Sequence, residues 1–179
     1  MVGNILIAAS LLGLVFIYYP LIKEFFFPPV YTQSQKESLE FSVEIPSIKV
    51  FSKVIANVDP FDQGEYIESL KDGVAHASNS SFPGEGKTVY LFAHSSDVPW
   101  RITRYNTAFF KLGNTKIGDE IIVRNEGEKF VYKIFDKKEV WPDEIEYLTE
   151  DQGDMLILQT CTPVGTALKR LLVFAKPVV

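Results

Sequence analysis

Seven short runs of β-branched and aromatic residues, each bounded by turn-forming residues, are the strongest constraint on the fold of this chain. They lie at residues 42–45, 50–55, 88–93, 120–123, 129–135, 155–160 and 171–175. Short runs of this composition, separated by glycine, proline, asparagine and aspartate, are typical of strands. Helical patterns are confined to residues 63–70 and to the surroundings of residues 105–111. The sequence therefore predicts an all-β domain, a barrel or a sandwich, with short helices.

An uncharged apolar segment precedes this domain. Residues 5–22 read ILIAASLLGLVFIYYPLI, and aromatic residues flank them. With a rise of about 1.5 Å per residue, a helix of this length crosses a hydrocarbon layer of roughly 30 Å. A cleaved signal peptide has a shorter apolar region and a small-residue cleavage site, which is missing here. We predict a transmembrane anchor over residues 1–27, a polar stalk over residues 28–40 and the domain over residues 41–179.

The charge of the chain argues against nucleic acid as a partner. The 179 residues carry a net charge of −5, and lysine and arginine are scattered among acidic residues. A nucleic-acid footprint needs a basic patch or stripe instead. Arg124 is accordingly predicted to be solvated. With 46% hydrophobic residues the chain can bury a core, so a folded domain is expected.

The single cysteine, Cys161, precedes Arg170 by nine residues. One cysteine cannot form a disulfide within the chain, so its thiol is either buried filler or a reactive group. Since the two residues lie at the facing ends of successive predicted strands, antiparallel pairing would bring thiol and guanidinium to the same end of the sheet. Lys169 competes with Arg170 for the inward-facing position there, and strand alternation does not choose between them.

A cysteine nucleophile also needs a proton donor for the leaving group and a group that holds the oxyanion. The chain has two histidines. His94 directly follows a predicted strand and is the better general acid, whereas His76 is predicted to have a packing or hydrogen-bonding role. His94 and Cys161, with one cation from the last strand, therefore form a candidate catalytic set.

The residues around this set resemble the sortases, a family of membrane-anchored cysteine transpeptidases. Residues 157–161, ILQTC, are similar to the family's TLxTC strand, and residues 170–175, RLLVFA, to its arginine-bearing strand. Residues 44–48, EIPSI, look like its opening IPxI strand. Residues 89–94, VYLFAH, look like the strand that ends in its catalytic histidine. The resemblance extends over residues 41–177 and keeps the order of the motifs.

This resemblance implies a closed barrel of about eight strands and a catalytic set of His94, Cys161 and Arg170, with Arg170 preferred to Lys169. It implies that Cys161 attacks the threonine carbonyl of an LPXTG-like sorting signal and that an amine, from a cell-wall peptide or a pilin lysine, resolves the thioacyl-enzyme. It also implies a catalytic domain on the outer side of the cell membrane.

Three further residues are predicted to contact the substrate: Thr160, Trp100 and Thr162. Three departures from the family pattern leave the subclass open: Ala93 replaces the usual glycine before the histidine, Ser95 follows it where arginine is common, and Ile157 replaces the first threonine of TLxTC. The groove walls are expected in the segment 141–154, in the strand that leads to Cys161 and in the turn 162–169.

Some sortases bind calcium in the loop that corresponds to residues 141–154. Six acidic residues lie in that loop of this chain: Asp143, Glu144, Glu146, Glu150, Asp151 and Asp154. Calcium needs about six to eight converging oxygens, and EF-hand spacing is missing. We predict a solvated acidic loop, no metal site and no cofactor, with calcium as the alternative.

Two other functions compete with the transpeptidase. An L,D-transpeptidase would carry a glycine-rich Ser/His-Gly-Cys-Arg cluster, which residues 160–163, TCTP, do not supply. A catalytically silent, membrane-tethered barrel could bind a peptide by strand addition at an open sheet edge. The reactivity of Cys161 distinguishes that binding module from an enzyme.

Overall fold

The computed structural model describes residues 2–26, 32, 34, 36, 39–95 and 108–178. In this part of the chain, eight strands form one sheet that closes into a barrel. They are β1 (Phe41–Ile45), β2 (Val50–Val58), β3 (Val74–Ala77), β4 (Thr88–Phe92), β5 (Glu120–Asn125), β6 (Glu128–Val140), β7 (Met155–Thr162) and β8 (Lys169–Pro177). Around the barrel they follow the order β1, β2, β3, β4, β7, β8, β6, β5, and β5 pairs back onto β1. The closed all-β barrel expected from the sequence is confirmed.

Strand β3 is the element that the sequence pattern does not predict. It consists of Val74, Ala75, His76 and Ala77, and alanine is uncommon in strands. Its conformation depends on its neighbours, because it pairs in parallel with β2 and antiparallel with β4. β6 and β7 also run further than predicted, since pairing with β8 continues to Val140 and Thr162.

The described helices are α1 (Val2–Phe26), α2 (Gln63–Asp72) and α3 (Glu146–Thr149), with 3-10 turns at Pro46–Ile48 and Leu112–Asn114. Helix α2 confirms the prediction for residues 63–70. Of the other predicted helical segment, residues 105–107 lie outside the described residues. Residues 108–111 form a turn, and the Leu112 N–H donates to the Phe109 carbonyl at 3.1 Å.

Helix α2 forms the crossover between the parallel strands β2 and β3, and both of its ends are well defined. Asp62 caps the beginning, since its Oδ1 accepts hydrogen bonds from Gly64 N at 2.8 Å and Glu65 N at 3.0 Å. Gly73 follows the end, where a Cβ atom would lie 2.6 Å from the Lys53 carbonyl oxygen. Glycine is therefore required for the close approach of the two backbones.

Alternating positions of the strands fill the barrel with apolar side chains. Those of Val43, Ile45, Leu91, Val123, Leu158 and Val173 have no exposed surface. Burial of each such side chain stabilises the fold by roughly 1.5–3 kcal/mol. The alternate positions of β4, β7 and β8 face the opposite side of the sheet, and these positions carry the candidate site.

Arg124 is buried in the barrel wall, and the prediction that it is solvated is wrong. Its Nη1 donates to Glu44 Oε2 at 3.0 Å between the paired strands β5 and β1, and Lys36 donates to Glu44 Oε1. Burial raises the pKa of Glu44, but the hydrogen bonds from the two cations outweigh it and the pKa lies below its ordinary value. The sequence around Arg124 does not show which strand pairs with β5, so it could not indicate that the Glu44 carboxylate lies beside this arginine.

Helix α1 covers the apolar segment at the beginning of the chain. Its described apolar side chains are exposed, as at Ile5 and Phe16. Within the residues that the structure describes, no helix combines the length and the apolarity needed to cross a membrane. Most of the predicted stalk, residues 28–40, lies outside the described residues, although Lys36 contacts the barrel through Glu44.

Candidate active site

Three side chains with reactive or charged groups lie at one end of the barrel, where β4 and β7 end and β8 begins. The parallel pairing of β4 with β7 places Phe92 beside Gln159. Beyond this pair, Ala93 N donates to the Gln159 carbonyl at 3.1 Å, so the contact between the two segments continues to the residue before His94, and His94 and Cys161 line the same cleft. Arg170 lies directly opposite Cys161 in the antiparallel pairing of β7 with β8. The thiol therefore lies between an imidazole-bearing strand and a guanidinium-bearing strand.

These three residues line one cleft with a volume of about 910 Å³. Its floor is the sheet face that carries Tyr90, Phe92 and Gln159. One wall is α2 and the turn before it, another is the segment after β6, and the turn between β7 and β8 closes one end. The last two walls and the strand before Cys161 were predicted from the sequence. The wall formed by α2 was not predicted.

The Tyr90 hydroxyl orients a side chain on the cleft floor. It donates to Gln159 Oε1 at 2.6 Å. Burial raises the pKa of Tyr90, with nearby Tyr66 adding to this effect and Arg170 opposing it, so the phenol remains a neutral donor. The side-chain carbonyl of Gln159 thus accepts a hydrogen bond from Tyr90. The amide N–H₂ group of the same side chain is a hydrogen-bond donor, two positions before Cys161.

Tyr66 projects from α2 over the same edge of β4. Its ring lies parallel to that of Phe92 at 5.1 Å and meets the His94 ring edge to face at 5.9 Å. Burial, with a smaller contribution from Cys161 and against an opposing one from Arg170, raises the pKa of Tyr66 to about 12. The tyrosine is therefore protonated at neutral pH, and its hydroxyl is within electrostatic range of both groups.

The structure distinguishes the two neighbouring cations of β8. Arg170 lines the cleft, and its Nη1 donates to the carbonyls of Ala167 at 3.1 Å and Lys169 at 3.3 Å. These bonds hold one arm of the guanidinium, whose Nε and Nη2 carry further N–H donors. Lys169 lies over the Trp141 ring at 5.2 Å and 3.6 Å from Glu139 Oε2. Arg170 is therefore the cation that lies beside the thiol.

Two of the three predicted substrate contacts, Thr160 and Thr162, are not among the described residues that line the cleft. Thr160 is buried, and its Oγ1 donates to the Ala93 carbonyl at 3.0 Å, which ties β7 to the residue before His94. Thr162 is half-buried, and its Oγ1 donates to Glu139 Oε1 at 3.4 Å. Trp100 lies outside the described residues. The geometry thus supports a positioning contact for Thr160 in place of a substrate contact.

His76 is fully buried away from the cleft, as its predicted packing role requires. Its Nε2 faces the Ser81 carbonyl at 3.0 Å, and its Nδ1 accepts from the Asn57 backbone N–H at 3.4 Å. These partners match the neutral tautomer with hydrogen on Nε2. The ring stacks on Phe82 at 4.5 Å. Burial lowers the pKa of His76, against smaller raising effects of the Ser81 bond and Glu85.

The acidic loop after β6 uses carboxylates to hold its own backbone. Asp151 Oδ1 accepts from Thr88 N, Thr88 Oγ1 and Gly153 N at 3.0–3.1 Å, and Glu144 Oε1 accepts from Trp141 N at 2.8 Å. The hydrogen bond from Gly153 N, followed by those from Thr88, lowers the pKa of Asp151. Among the described residues, no three His, Cys, Asp or Glu side chains form a metal-binding cluster.

Sequence reasoning did not find Tyr66 or Tyr90 as members of the site, whereas Gln159 lies in the strand before Cys161 that was expected to line the groove. Tyr66 lies in a segment whose helical character was predicted, but nothing in a helical pattern tells which strand the helix covers. Tyr90 does carry a signal, because it alternates with Leu91 along β4 and so shares the face of Phe92.

Comparisons with known proteins agree with this geometry. The profile of the Sortase domain matches residues 43–178. Sortase D of Bacillus subtilis (strain 168) is 29% identical over 140 residues, which cover 76% of this chain and 62% of that protein. The chain thus spans less than two thirds of the length of that relative.

Two solved structures share the fold. Sortase A from Corynebacterium diphtheriae, in a lid mutant, superposes with a TM-score of 0.65 at 26% identity, covering 79% of this chain and 70% of that chain. Sortase C1 from Streptococcus suis gives a TM-score of 0.64 at 29% identity, covering 77% and 72%. Sortases are cysteine transpeptidases, and the motifs, the barrel and the family profile together establish that this chain belongs to the sortase family.

Proposed function

We propose that this chain is a cysteine transpeptidase that cleaves an LPXTG-like sorting signal and joins the released acyl fragment to an amine. The observation that carries the proposal is the meeting of His94, Cys161 and Arg170 on three adjacent strand ends in one cleft. A nucleophile, a proton carrier and an oxyanion partner are the groups that acyl transfer requires. The cleft of about 910 Å³ is large enough for several residues of an extended peptide.

In the first half-reaction, the Cys161 thiolate attacks the threonine carbonyl carbon of the signal and a C–S bond forms. The N–H donors of Arg170 stabilise the negative charge that develops on the carbonyl oxygen. The C–N bond to the next residue then breaks, and His94 donates its proton to the departing amine. The product is a thioacyl-enzyme and a free amino terminus.

In the second half-reaction, an acceptor amine attacks the thioester carbon. His94 removes a proton from this amine, and the C–S bond breaks to return Cys161 as a thiolate. A cell-wall peptide or a pilin lysine supplies the amine, so the enzyme's partners are a protein with a carboxy-terminal sorting signal and an amine acceptor. The result is an amide bond in place of the one that was cleaved.

We further propose that residues 1–27 anchor the enzyme in the cell membrane with the barrel on the outer side. The support is the uncharged apolar sequence of residues 5–22 and the exposed apolar side chains of α1. In a bacterial host, the full chain should sediment with membranes, and protease added to spheroplasts should digest the barrel. A chain that lacks residues 1–27 should stay in the supernatant. Full-length protein in the supernatant, or a protected barrel, would contradict the proposal.

The activity is tested by mass spectrometry of the full chain in detergent micelles with LPXTG-like peptides and an amine. A thioacyl adduct on Cys161 and an amine-exchanged product are expected with at least one peptide, and neither is expected with Cys161→Ala. Thiol alkylation of the wild-type chain serves as a control for a reactive cysteine. If the thiol is alkylated but no peptide yields an adduct, the LPXTG-like specificity is wrong; if it is inert, the transpeptidase is wrong.

The competing functions have less support. The family assignment and barrel are those of sortases, which argues against an L,D-transpeptidase. A silent module that binds by strand addition needs an open edge, and the eight described strands close into a ring. Neither alternative accounts for a histidine, a thiol and an arginine in one cleft at the end of the barrel.

A further inference from the structure

We infer that Tyr66 is a positioning residue of this active site: its ring, carried by α2, holds the His94 imidazole in place beside the Cys161 thiol. The inference rests on the proposed function, since it concerns the group that moves the proton. It adds a residue that lies outside the strands bearing the catalytic set.

The ring contacts place Tyr66 against two residues at the end of β4. Phe92 is the last residue of β4 and His94 lies two residues further along the chain, and one tyrosine ring contacts both of their rings. The Tyr66 ring stacks on the first at 5.1 Å with an angle of 11° between the ring planes, and meets the second at 5.9 Å with an angle of 80°. Parallel stacking fixes the tyrosine plane, and the edge-to-face contact then restricts the rotation of the imidazole.

Helix α2 gives this ring a rigid support. Tyr66 N donates to the Asp62 carbonyl at 2.9 Å, which is a first-turn bond of the capped helix. Leu70, one turn later on the same helix face, is fully buried in the core. With the helix fixed at both the cap and the core, its tyrosine is held over the end of β4.

The imidazole is placed where such support matters. His94 lies beyond the last residue of β4 and is half-buried at the edge of the open cleft. An imidazole that shuttles protons must keep its nitrogen within hydrogen-bond reach of the reacting atoms, and misplacement by about 1 Å costs up to two orders of magnitude in rate. The fixed Tyr66 ring, in contact with the imidazole, reduces the number of orientations that the His94 side chain can adopt.

The hydroxyl of Tyr66 is not part of this contact. Burial raises the pKa of Tyr66 to about 12, with Cys161 adding to this effect and Arg170 opposing it, so the hydroxyl is neutral, and all three residues line the cleft. The positioning contact, however, is made by the ring. Phenylalanine at this position should therefore preserve the effect, and leucine should remove it.

The test measures the rate of Cys161 alkylation by iodoacetamide against pH, using the full chain in detergent micelles. This readout needs no peptide, so it stands apart from the LPXTG-like assay that tests the proposed function. Wild type is compared with His94→Ala, Tyr66→Leu, Tyr66→Phe and the double variant that combines H94A with Y66L. Glu68→Gln, an exposed change on the same helix outside the cleft, is the matched control.

If Tyr66 acts through His94, Y66L shifts the pH profile of alkylation in the same direction as H94A does. The variants Y66F and E68Q leave the profile unchanged. In the H94A background, Y66L has no further effect. In transpeptidation, Y66L should lower kcat about tenfold and change KM less than about twofold. Thermal unfolding of each variant checks that α2 remains folded.

The inference is overturned if the Y66L profile coincides with that of wild type, or if Y66L shifts the H94A profile as much as it shifts the wild-type one. A loss of activity in Y66F equal to that in Y66L would also overturn it, because the ring would then not be the contact that matters. Failure of every peptide in the wild-type chain would count against the proposed function only, since alkylation still reports on the Tyr66 contact.

Discussion

Cys161 and Arg170 lie directly opposite each other on β7 and β8, at the end of the barrel where both strands reach the cleft. The pairing determines their separation through the backbone ladder, because opposed residues on antiparallel strands keep their Cα atoms within about 5.5 Å. The guanidinium is therefore held next to the thiol by the fold itself.

Arg170→Ala should lower kcat/KM for transpeptidation by about 10²–10³, the usual loss when an oxyanion donor is removed. Arg170→Lys should recover only part of this rate, because a lysine ammonium lacks the planar fork of donors. Steady-state kinetics with a sorting-signal peptide measure both. Lys169→Ala is the matched control and should stay within about threefold of wild type, since Lys169 interacts with Trp141 and Glu139. Equal losses at the two positions would contradict the assignment of Arg170.

Thr160→Val should cost about 1–3 kcal/mol of unfolding free energy, because it leaves the buried Ala93 carbonyl without the hydroxyl that now donates to it. The KM for a peptide should change less than about twofold, since Thr160 is not in the cleft lining. Urea unfolding and steady-state kinetics give the two values. Thr162→Val, a half-buried control, should change stability by less than about 0.5 kcal/mol. A large rise in KM for T160V would restore Thr160 as a substrate contact.

Glu44 should make the barrel sensitive to acid. Its pKa is lowered in the folded chain, so its contribution to stability is present above the unfolded value, near 4.5, and is lost as the pH falls through the folded value. Glu44→Gln should be less stable at pH 7 by about 3 kcal/mol, because Arg124 is left buried without its counter-charge. Unfolding curves between pH 7 and acid pH should show the two proteins converging. A constant difference across this range would contradict the ion pair.

His76 should produce a second pH dependence at a higher pH. Burial lowers its pKa below 6.5, so the unfolded chain binds a proton that the folded chain does not, and stability falls as the pH drops below about 6.5. Unfolding free energies of wild type and His76→Gln, measured from pH 7.5 to 5, should show a shallower slope in the variant. An unchanged slope in H76Q would show that another group takes up the proton.

Calcium should have little effect on this chain. In the loop after β6, Asp151 and Glu144 accept hydrogen bonds from backbone N–H groups and so hold the loop without a metal. Addition of millimolar calcium, or of EDTA, should change transpeptidation less than about twofold, whereas a metal that binds the folded state tightly would also raise the melting temperature. A calcium-dependent gain of several degrees, abolished in Asp151→Asn, would establish a site that the sequence left open.

Several features of the site could be predicted because they are local in sequence. The runs of β-branched and aromatic residues indicate strands, and a side-chain period of two residues places Cys161 and Gln159 on one face. Because a lone thiol lies at the end of one predicted strand and an arginine at the start of the next, antiparallel pairing already predicts that both lie at the same end of the sheet. The closed barrel was expected from the family motifs and is present.

Other features depend on contacts between distant segments. Whether Arg170 or Lys169 faces the thiol depends on the register of β8 against β7 and β6, which no single strand specifies. Arg124 is buried because Glu44 lies on a strand about 80 residues earlier in the chain. Thr160 carries the same hydroxyl as Thr162, but only Thr160 is buried against the Ala93 carbonyl.

The sequence by itself thus determined seven of the eight strands, the position of the single thiol and the two residue types predicted to accompany it, because these follow from side-chain chemistry and from periodicity along one segment. Only the tertiary structure decided that Tyr66 of α2 meets His94, that Tyr90 engages Gln159 and that β3 is a strand at all. Each of these depends on the packing of one element against another, and the free energy of such packing arises only when the barrel has closed.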